Sequence, residues 1–215
     1  MIQKVYNEMK GLIDQIKQIH DQFRPKRSHE HNLLIKSLTK LVDNLGKEYK
    51  KQIKLISDNF KGENIPYKHR LLIRDILVQL IRNSMFHGIE SDAERKEKSK
   101  QTKGTIEIEN YNSNGDFVIK FKDDGRGLLL DKLREKAKEL GKWSSDEIDK
   151  WEKKELVEVI FIPGVTTSEQ TNMTAGRGMG MDIIKNKIDK IGGKIDIETK
   201  EGQFAEFIVI LPVSQ

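Results

Sequence analysis

Residues 77–90 read LVQLIRNSMFHGIE, and the fold turns on what this stretch is. Leu77, Leu80 and Ile81, with Leu72, Ile73 and Ile76 ahead of them, recur at helical spacing and predict one buried helical face. Gln79, Asn83 and His87 stand four residues apart, so they stack on a different face of the same helix. Asparagine is a poor helix former, and in an interior helix it needs hydrogen-bond partners. A satisfied polar ladder at a helix boundary is one reading of the stripe. In the other, the Asn83 carboxamide oxygen is a hard ligand suited to Mg²⁺, which takes few protein ligands and keeps several waters.

Working outward from this helix, Val5, Met9, Leu12, Ile13, Ile16 and Ile19 predict an earlier helix over residues 1–23. Pro25 breaks it, and a second helix starts near Ser28 with Leu34, Leu38, Leu41, Val42 and Leu45 as its stripe. Two striped helices with a short connection suggest a hairpin whose free face suits a partner helix. Next, QIKLIS (52–57) alternates as a strand, KGENIP (61–66) reads as a loop, and Pro66 suits the first turn of the opening helix. TIEIENY (105–111) and DFVIKF (116–121) form a hairpin turned at Asn114–Gly115. A polar helical segment covers 129–160 with an interruption at 141–145, and a helix follows from Met179 to Ile191, ended by Gly192–Gly193. KIDIETK and AEFIVILP close the chain as a hairpin turned at Glu201–Gly202. This order predicts an α+β layered fold rather than an alternating parallel one.

At 215 residues the chain has room for one sizeable domain with an appendage. Charged residues make up 34% and apolar residues 36%, and no apolar run is long enough to span a bilayer. The N-terminus MIQKVYNEMK lacks a signal peptide's hydrophobic core. Cysteine is absent, which excludes disulfides and thiolate metal sites and points to the cytoplasm. The formal charge is +5, with the excess spread except at SDAERKEKSKQTK (91–103). That run carries no aromatic and mixes its charges, so it reads as a solvated loop, and nucleic acid is not an expected partner.

Two further pieces bear on chemistry. In KDDGRGLL (122–129), Gly125 and Gly127 let the backbone approach a ligand, and Asp123 can accept from an exocyclic amine, although Asp-Asp-Gly is also an ordinary turn. In TAGRGMGMD (174–182), Gly176, Gly178 and Gly180 alternate just before a helix, where free amides suit a phosphate chain. The second piece is not a Walker A loop, since no Gly-Lys-Ser/Thr follows, and no βαβ strand leads into it as a Rossmann turn requires. A glycine-rich linker is its plain alternative.

Taken in order, LIRNSMFHGIE, DDGRG, FIPGVTTSEQ, GRGMGMDIIK and GGKIDIETKEG resemble the ATP-binding domain of CheA-type chemotaxis histidine kinases. Those kinases belong to the GHKL, or Bergerat-fold, ATPase superfamily, and the likeness runs from about Leu41 to Pro212. The resemblance implies a two-layer α/β sandwich in which a mixed, mostly antiparallel sheet is backed by helices that enclose ATP. It implies Asn83 on Mg²⁺, His87 beside the phosphate chain, Asp123 on the adenine amine, and Gly125 and Gly127 as room beside the base. Gly176, Gly178, Met179 and Gly180 would face the phosphates. Residues 164–175 would form a lid that orders on nucleotide binding, with Thr166 and Thr167 near the γ-phosphate.

The sequence departs from the family at three points. Position 79, usually histidine in these kinases and a water-activating glutamate in the gyrase branch, is Gln79, whose amide does not titrate. GQFAEF (202–207) stands where Gly-x-Gly-Thr is usual, and the chain ends at LPVSQ without a coupling domain. The expected organisation is a helical hairpin over 1–48, for dimerisation or linkage, and an ATP-binding domain over 49–215. The expected function is transfer of the ATP γ-phosphoryl to a histidine of the same assembly. A histidine-phosphotransfer domain and a response regulator would be its partners, and the site of action the cytoplasm, alone or as part of a larger membrane-associated protein. The alternative is a nucleotide-binding pseudokinase, with a gyrase-like ATPase behind it. Within the chain, His20 in IHDQFRP has some features of a phosphoacceptor box, though a lone histidine in a charged helix reads first as a surface residue.

Overall fold

The computed structural model describes residues 9, 10, 12, 27–165 and 180–213. Helix α1 (Arg27–Tyr49) leads to strand β1 (Ile53–Ile56), helix α2 (Arg70–Asn83), a π-helical turn (Ser84–Gly88) and the short helix α3 (Asp92–Glu97). Strands β2 (Gly104–Ser113) and β3 (Asp116–Asp123) follow, then helices α4 (Leu130–Glu139), α5 (Ser145–Ile148) and α6 (Lys153–Glu158). Helix α7 (Met181–Lys190) and strands β4 (Lys194–Lys200) and β5 (Phe204–Pro212) complete the fold.

The five strands form one sheet in the order β1-β2-β3-β5-β4. The β1–β2 pair is parallel and the other pairs are antiparallel, giving the mixed α+β architecture expected from the sequence. The parallel pair exists because α2 and α3 intervene between β1 and β2, whereas a two-residue turn would return the chain antiparallel. That turn occurs at Asn114–Gly115, both with positive φ (51° and 85°), as the Asn-Gly hairpin signal requires. Burial alternates along the sheet: in β5, Ala205, Phe207, Val209 and Leu211 are buried and their neighbours are not. One face therefore packs under helices and the other meets solvent.

The apolar face of α2 is the centre of the core, with Ile73, Ile76, Leu77, Leu80 and Ile81 fully buried against the sheet and α7. A satellite cluster of Leu133, Ala137, Ile148 and Val159 joins α4 to α6, with Trp143 and Trp151 packed on it edge to face. The polar segment 129–160 thus divides into three short helices with a 3₁₀ turn (Val159–Phe161), one more break than its sequence suggests. Pro66 precedes a 3₁₀ turn (Tyr67–His69) rather than the α-helix itself. Helix α7 starts at Met181, two residues later than expected, with Gly180 at its N-cap.

The 91–103 run corrects the sequence reading. It is not a solvated loop: Ser91 caps α3 through a reciprocal box with Glu94, and Arg95 is 2% exposed. Arg95 pairs with Glu90 and Asp124 and Lys100 with Glu90, which composition does not reveal, while Lys96, Glu97, Lys98 and Lys103 stay exposed. No helix among the described residues is long and apolar enough to cross a membrane.

Helix α1 packs into the main core through Leu38 and Val42, 1% and 2% exposed. We expect Leu38→Ala to lower the unfolding free energy of the whole body by about 2–5 kcal/mol, measured by urea titration of the chain. A change confined to self-association would show that α1 contributes nothing to this core.

Candidate functional site

The end of α2 departs from regular helix where the polar stripe meets the sheet. Ile89 N–H donates to Ser84 O at 2.7 Å, an i→i−5 bond that widens the last turn. Widening leaves carbonyls to satisfy, and Lys51 satisfies two of them: its Nζ donates to Met85 O at 2.6 Å and to Ile89 O at 2.7 Å. Burial, then the nearby Arg126 charge, pushes the Lys51 ammonium below its ordinary value. The widened turn presents Ser84 and Gly88 to Asp123 at the end of β3 and leaves His87 lining the same cleft.

A cleft of about 330 Å³ opens there. It is lined by Gln79, Asn83, Ser84 and His87, by Arg126 to Leu129 with Lys132 and Leu133, and by Ala205 and Phe207. Ile160, Ile162 and the start of α7 at Gly180 close one side. Two other grooves, of about 380 and 430 Å³, lie elsewhere on the surface and contain neither Asp123 nor Asn83. Because Asn83, His87 and Asp123 converge on the first cleft and on neither groove, it is the candidate site.

Asp123 ends β3 with its neighbours in register, Ile106 on one side and Ala205 on the other. It is 2% exposed. Ser84 Oγ donates to its Oδ2 at 2.6 Å and Gly125 N–H to its Oδ1 at 3.0 Å. Burial raises this carboxyl to about 6, against the lowering effect of those two bonds. Each oxygen keeps a further lone pair for a donor in the cleft.

The turn after Asp123 is wedged between two backbones. Arg126 N–H donates to Gly88 O at 2.8 Å, and its own carbonyl accepts from Gly202 N–H at 2.7 Å. A Cβ on Gly125 would lie 2.2 Å from Gly88 O. Gly127 has φ of +69°, and a Cβ there would lie 2.6 Å from Lys200 O. The protein's own backbone is thus an independent reason for glycine at both positions, beside any ligand. Thr199 ties the far side: its hydroxyl accepts from Leu128 N–H and donates to Phe204 O, both at 2.9 Å.

At the other end of the stripe, Gln79 Nε2 donates to Asn83 Oδ1 at 2.9 Å. This bond uses one of that oxygen's two acceptor positions and leaves the second for a cation in the cleft, so the residues present fit Mg²⁺. The cleft also fits a nucleotide: Asp123 offers a recessed carboxylate with spare acceptor capacity, and Arg126, another lining residue, has a buried Nε without a hydrogen-bond partner. His87 is lowered from 6.5 by burial, then by the charges of Lys51 and Arg126, so its ring is neutral near pH 7.

Gln79, Asn83, His87, Asp123, Gly127 and Gly180 all line the cleft, and Gly125 forms the turn beside Asp123. Thr166, Thr167, Gly176, Gly178 and Met179 lie outside the described residues, as does His20. Sequence reasoning missed Ser84, Lys51 and Thr199. Ser84 could have been found as the residue one helical position past Asn83, but Lys51 and Thr199 carry no local signal.

The family model described as histidine kinase-, DNA gyrase B- and HSP90-like ATPase matches residues 69–215. The chain is 36% identical over 177 residues to the chemotaxis protein CheA of Bacillus subtilis, covering 81% of this chain and 26% of that protein. It is 36% identical over 165 residues to the sensor histidine kinase CheAY of Helicobacter pylori, covering 76% of this chain and 20% of that one. The solved catalytic domain of histidine kinase ThkA aligns with a TM-score of 0.48 at 23% identity, over 84% of this chain and 91% of that one. The chain therefore spans between about a fifth and a third of the length of the curated relatives it matches.

The raised Asp123 carboxyl sets a pH dependence. Its folded value, about 6, exceeds the ordinary 3.8, so the group's contribution to stability is greatest below 3.8 and declines as pH rises through about 6. A ligand that donates to the carboxylate favours the ionised form. ADP affinity should therefore hold above about pH 6 and fall about three- to tenfold by about pH 5. Titration calorimetry checks this, and Asp123→Asn should flatten the profile; an unchanged profile in that variant would assign the dependence elsewhere.

Proposed function

The chain belongs to the family of histidine kinase-, DNA gyrase B- and HSP90-like ATPases, and on that premise we propose that it is the catalytic domain of a chemotaxis-type histidine kinase. In this reading it moves the γ-phosphoryl of ATP to a histidine of the same assembly. The observation that carries it is the convergence on one cleft of a base-type acceptor, Asp123, and a metal-type carboxamide, Asn83.

Asp123 accepts the adenine amine at the closed end, held by Ser84 and Gly125. Asn83 offers its oxygen to Mg²⁺, aimed by Gln79. Mg²⁺, when bound, neutralises charge on the phosphates and helps orient them. His87, neutral and beside the cationic Lys51 and Arg126, donates a ring N–H toward the phosphate chain. The N–H groups at the start of α7, which follows Gly180 at its N-cap, face the same phosphates in this reading. The acceptor imidazole nitrogen attacks the γ-phosphorus, the bond to the β,γ-bridging oxygen breaks, and ADP leaves. Positioning and charge neutralisation carry this chemistry, so it needs no base at position 79. Gln79 cannot activate water, which directs the phosphoryl group to histidine rather than to hydrolysis.

The partners in this reading are a histidine-phosphotransfer domain and a response regulator, in the cytoplasm. In this reading the segment over residues 1–48, of which α1 is described, links the domain to the rest of the assembly or to a second copy.

Incubating the chain with labelled ATP, Mg²⁺ and its phosphotransfer partner should yield acid-labile phosphohistidine. Asn83→Ala should reduce its formation about a hundredfold, the scale of metal charge stabilisation. Gln79→Ala should cost about tenfold, as for residues that orient a metal ligand. Tight nucleotide binding with no phosphohistidine would make the chain a nucleotide-sensing module instead, the reading that Gln79 and the altered GQFAEF turn favour.

A further inference from the structure

Three side chains from residues 90–100 grip three consecutive residues of the turn that follows Asp123, and a fourth, Glu90, braces two of them. Arg95 forks onto Asp124, Nη1 to Oδ1 at 3.2 Å and Nη2 to Oδ2 at 2.8 Å. Its Nη1 also donates to Asp124 O at 3.3 Å. Lys100 Nζ donates to Asp124 O and to Gly125 O, both at 2.7 Å. Glu90, with none of its side chain exposed, lies between the two cations, 3.3 Å from Arg95 Nη1 and 3.1 Å from Lys100 Nζ. Glu94 pairs with Arg126 at 3.4 Å.

Buried ion clusters of this kind add little net stability over an apolar core. What sets this one apart is the atom it holds. The Asp124 carbonyl and the Gly125 N–H belong to the same planar peptide, so fixing the direction of one fixes the other. That N–H donates to Asp123 Oδ1 at 3.0 Å. A rigid link therefore runs from Lys100 and Arg95, through one peptide plane, to the carboxylate in the cleft. Asp124 Oδ1 also accepts from Thr105 N–H at 2.9 Å, which anchors the turn to β2.

We propose that Lys100 and Arg95 are positioning residues for nucleobase recognition, aiming the Asp123 carboxylate through the Asp124–Gly125 peptide and so setting the preference for adenine over guanine nucleotides. The proposal rests on the reading of Asp123 as acceptor of the base amine. Guanine presents a carbonyl oxygen where adenine presents the amine, so a well-aimed acceptor rejects it by leaving two acceptors face to face. An acceptor free to turn aside loses that rejection along with its hydrogen bond to adenine.

The test is equilibrium affinity for ATP and GTP, each with Mg²⁺, in the whole chain and its variants. Lys100→Met should weaken ATP binding about tenfold and leave GTP nearly unchanged, so the ratio falls about tenfold. Lys100→Arg keeps donors for both carbonyls and should restore the ratio. Unfolding midpoints of the nucleotide-free variants are read alongside: a lowered midpoint with an unchanged ATP:GTP ratio means a structural role only and overturns the proposal. Asp123→Ala separates the two layers. If it keeps the wild-type ratio, the base reading itself fails; if it abolishes the ratio while Lys100→Met preserves it, the clamp alone fails. Should Lys100→Met not fold, Arg95→Lys, which keeps the charge and loses the fork, should lower the ratio about threefold, and an unchanged ratio there overturns the proposal equally.

Discussion

The site depends on one close approach: Gly125 lies against the carbonyl of Gly88, so near that a Cβ would sit 2.2 Å from the oxygen. This contact brings the end of the α2 segment and the end of β3 into one wall. Arg126 N–H locks it by donating to the same carbonyl, and Gly202 N–H locks the turn from the β4–β5 side. The Asp123 end of the cleft is therefore built from backbone, which no side-chain rotation can open. Function then sits on the few side chains that the backbone aims.

The π-helical turn is what makes the approach possible. A regular α-turn after Asn83 would carry its residues past the sheet end at a steady pitch, whereas the widened turn delivers both Ser84 and Gly88 to Asp123. Its cost in unpaired carbonyls falls on Met85 and Ile89, and the single ammonium of Lys51 meets both. The same residue helps keep His87 uncharged. Structure and electrostatics around His87 are thus coupled through a lysine that belongs to the loop between α1 and β1.

Much of this was legible in the sequence. The polar stripe Gln79, Asn83 and His87 and the apolar face opposite it follow from period alone, and both hairpins follow from their Gly turns. Asp123 was legible because an acid ending a strand ahead of Gly-x-Gly is local information. The parts that were not legible are those made by distant pairing. Arg95 and Lys100 sit in a run whose composition is that of a solvated surface, and only their partners Glu90 and Asp124 make burial possible. Lys51 and Thr199 act on backbone atoms, so nothing in their own neighbourhood marks them. The π-turn is silent for a related reason, since an i, i+4 pattern reads alike on an α-turn and a widened one.

The central claim is that one cleft holds the base on Asp123 and the metal on Asn83. A crystal structure of the chain with Mg²⁺ and a non-hydrolysable ATP analogue tests it most directly. The account predicts the adenine amine within hydrogen-bond distance of the Asp123 carboxylate and Mg²⁺ on the Asn83 carboxamide oxygen. A nucleotide seated in another groove, or a base facing solvent with Asp123 still bonded only to Ser84 and Gly125, would contradict it.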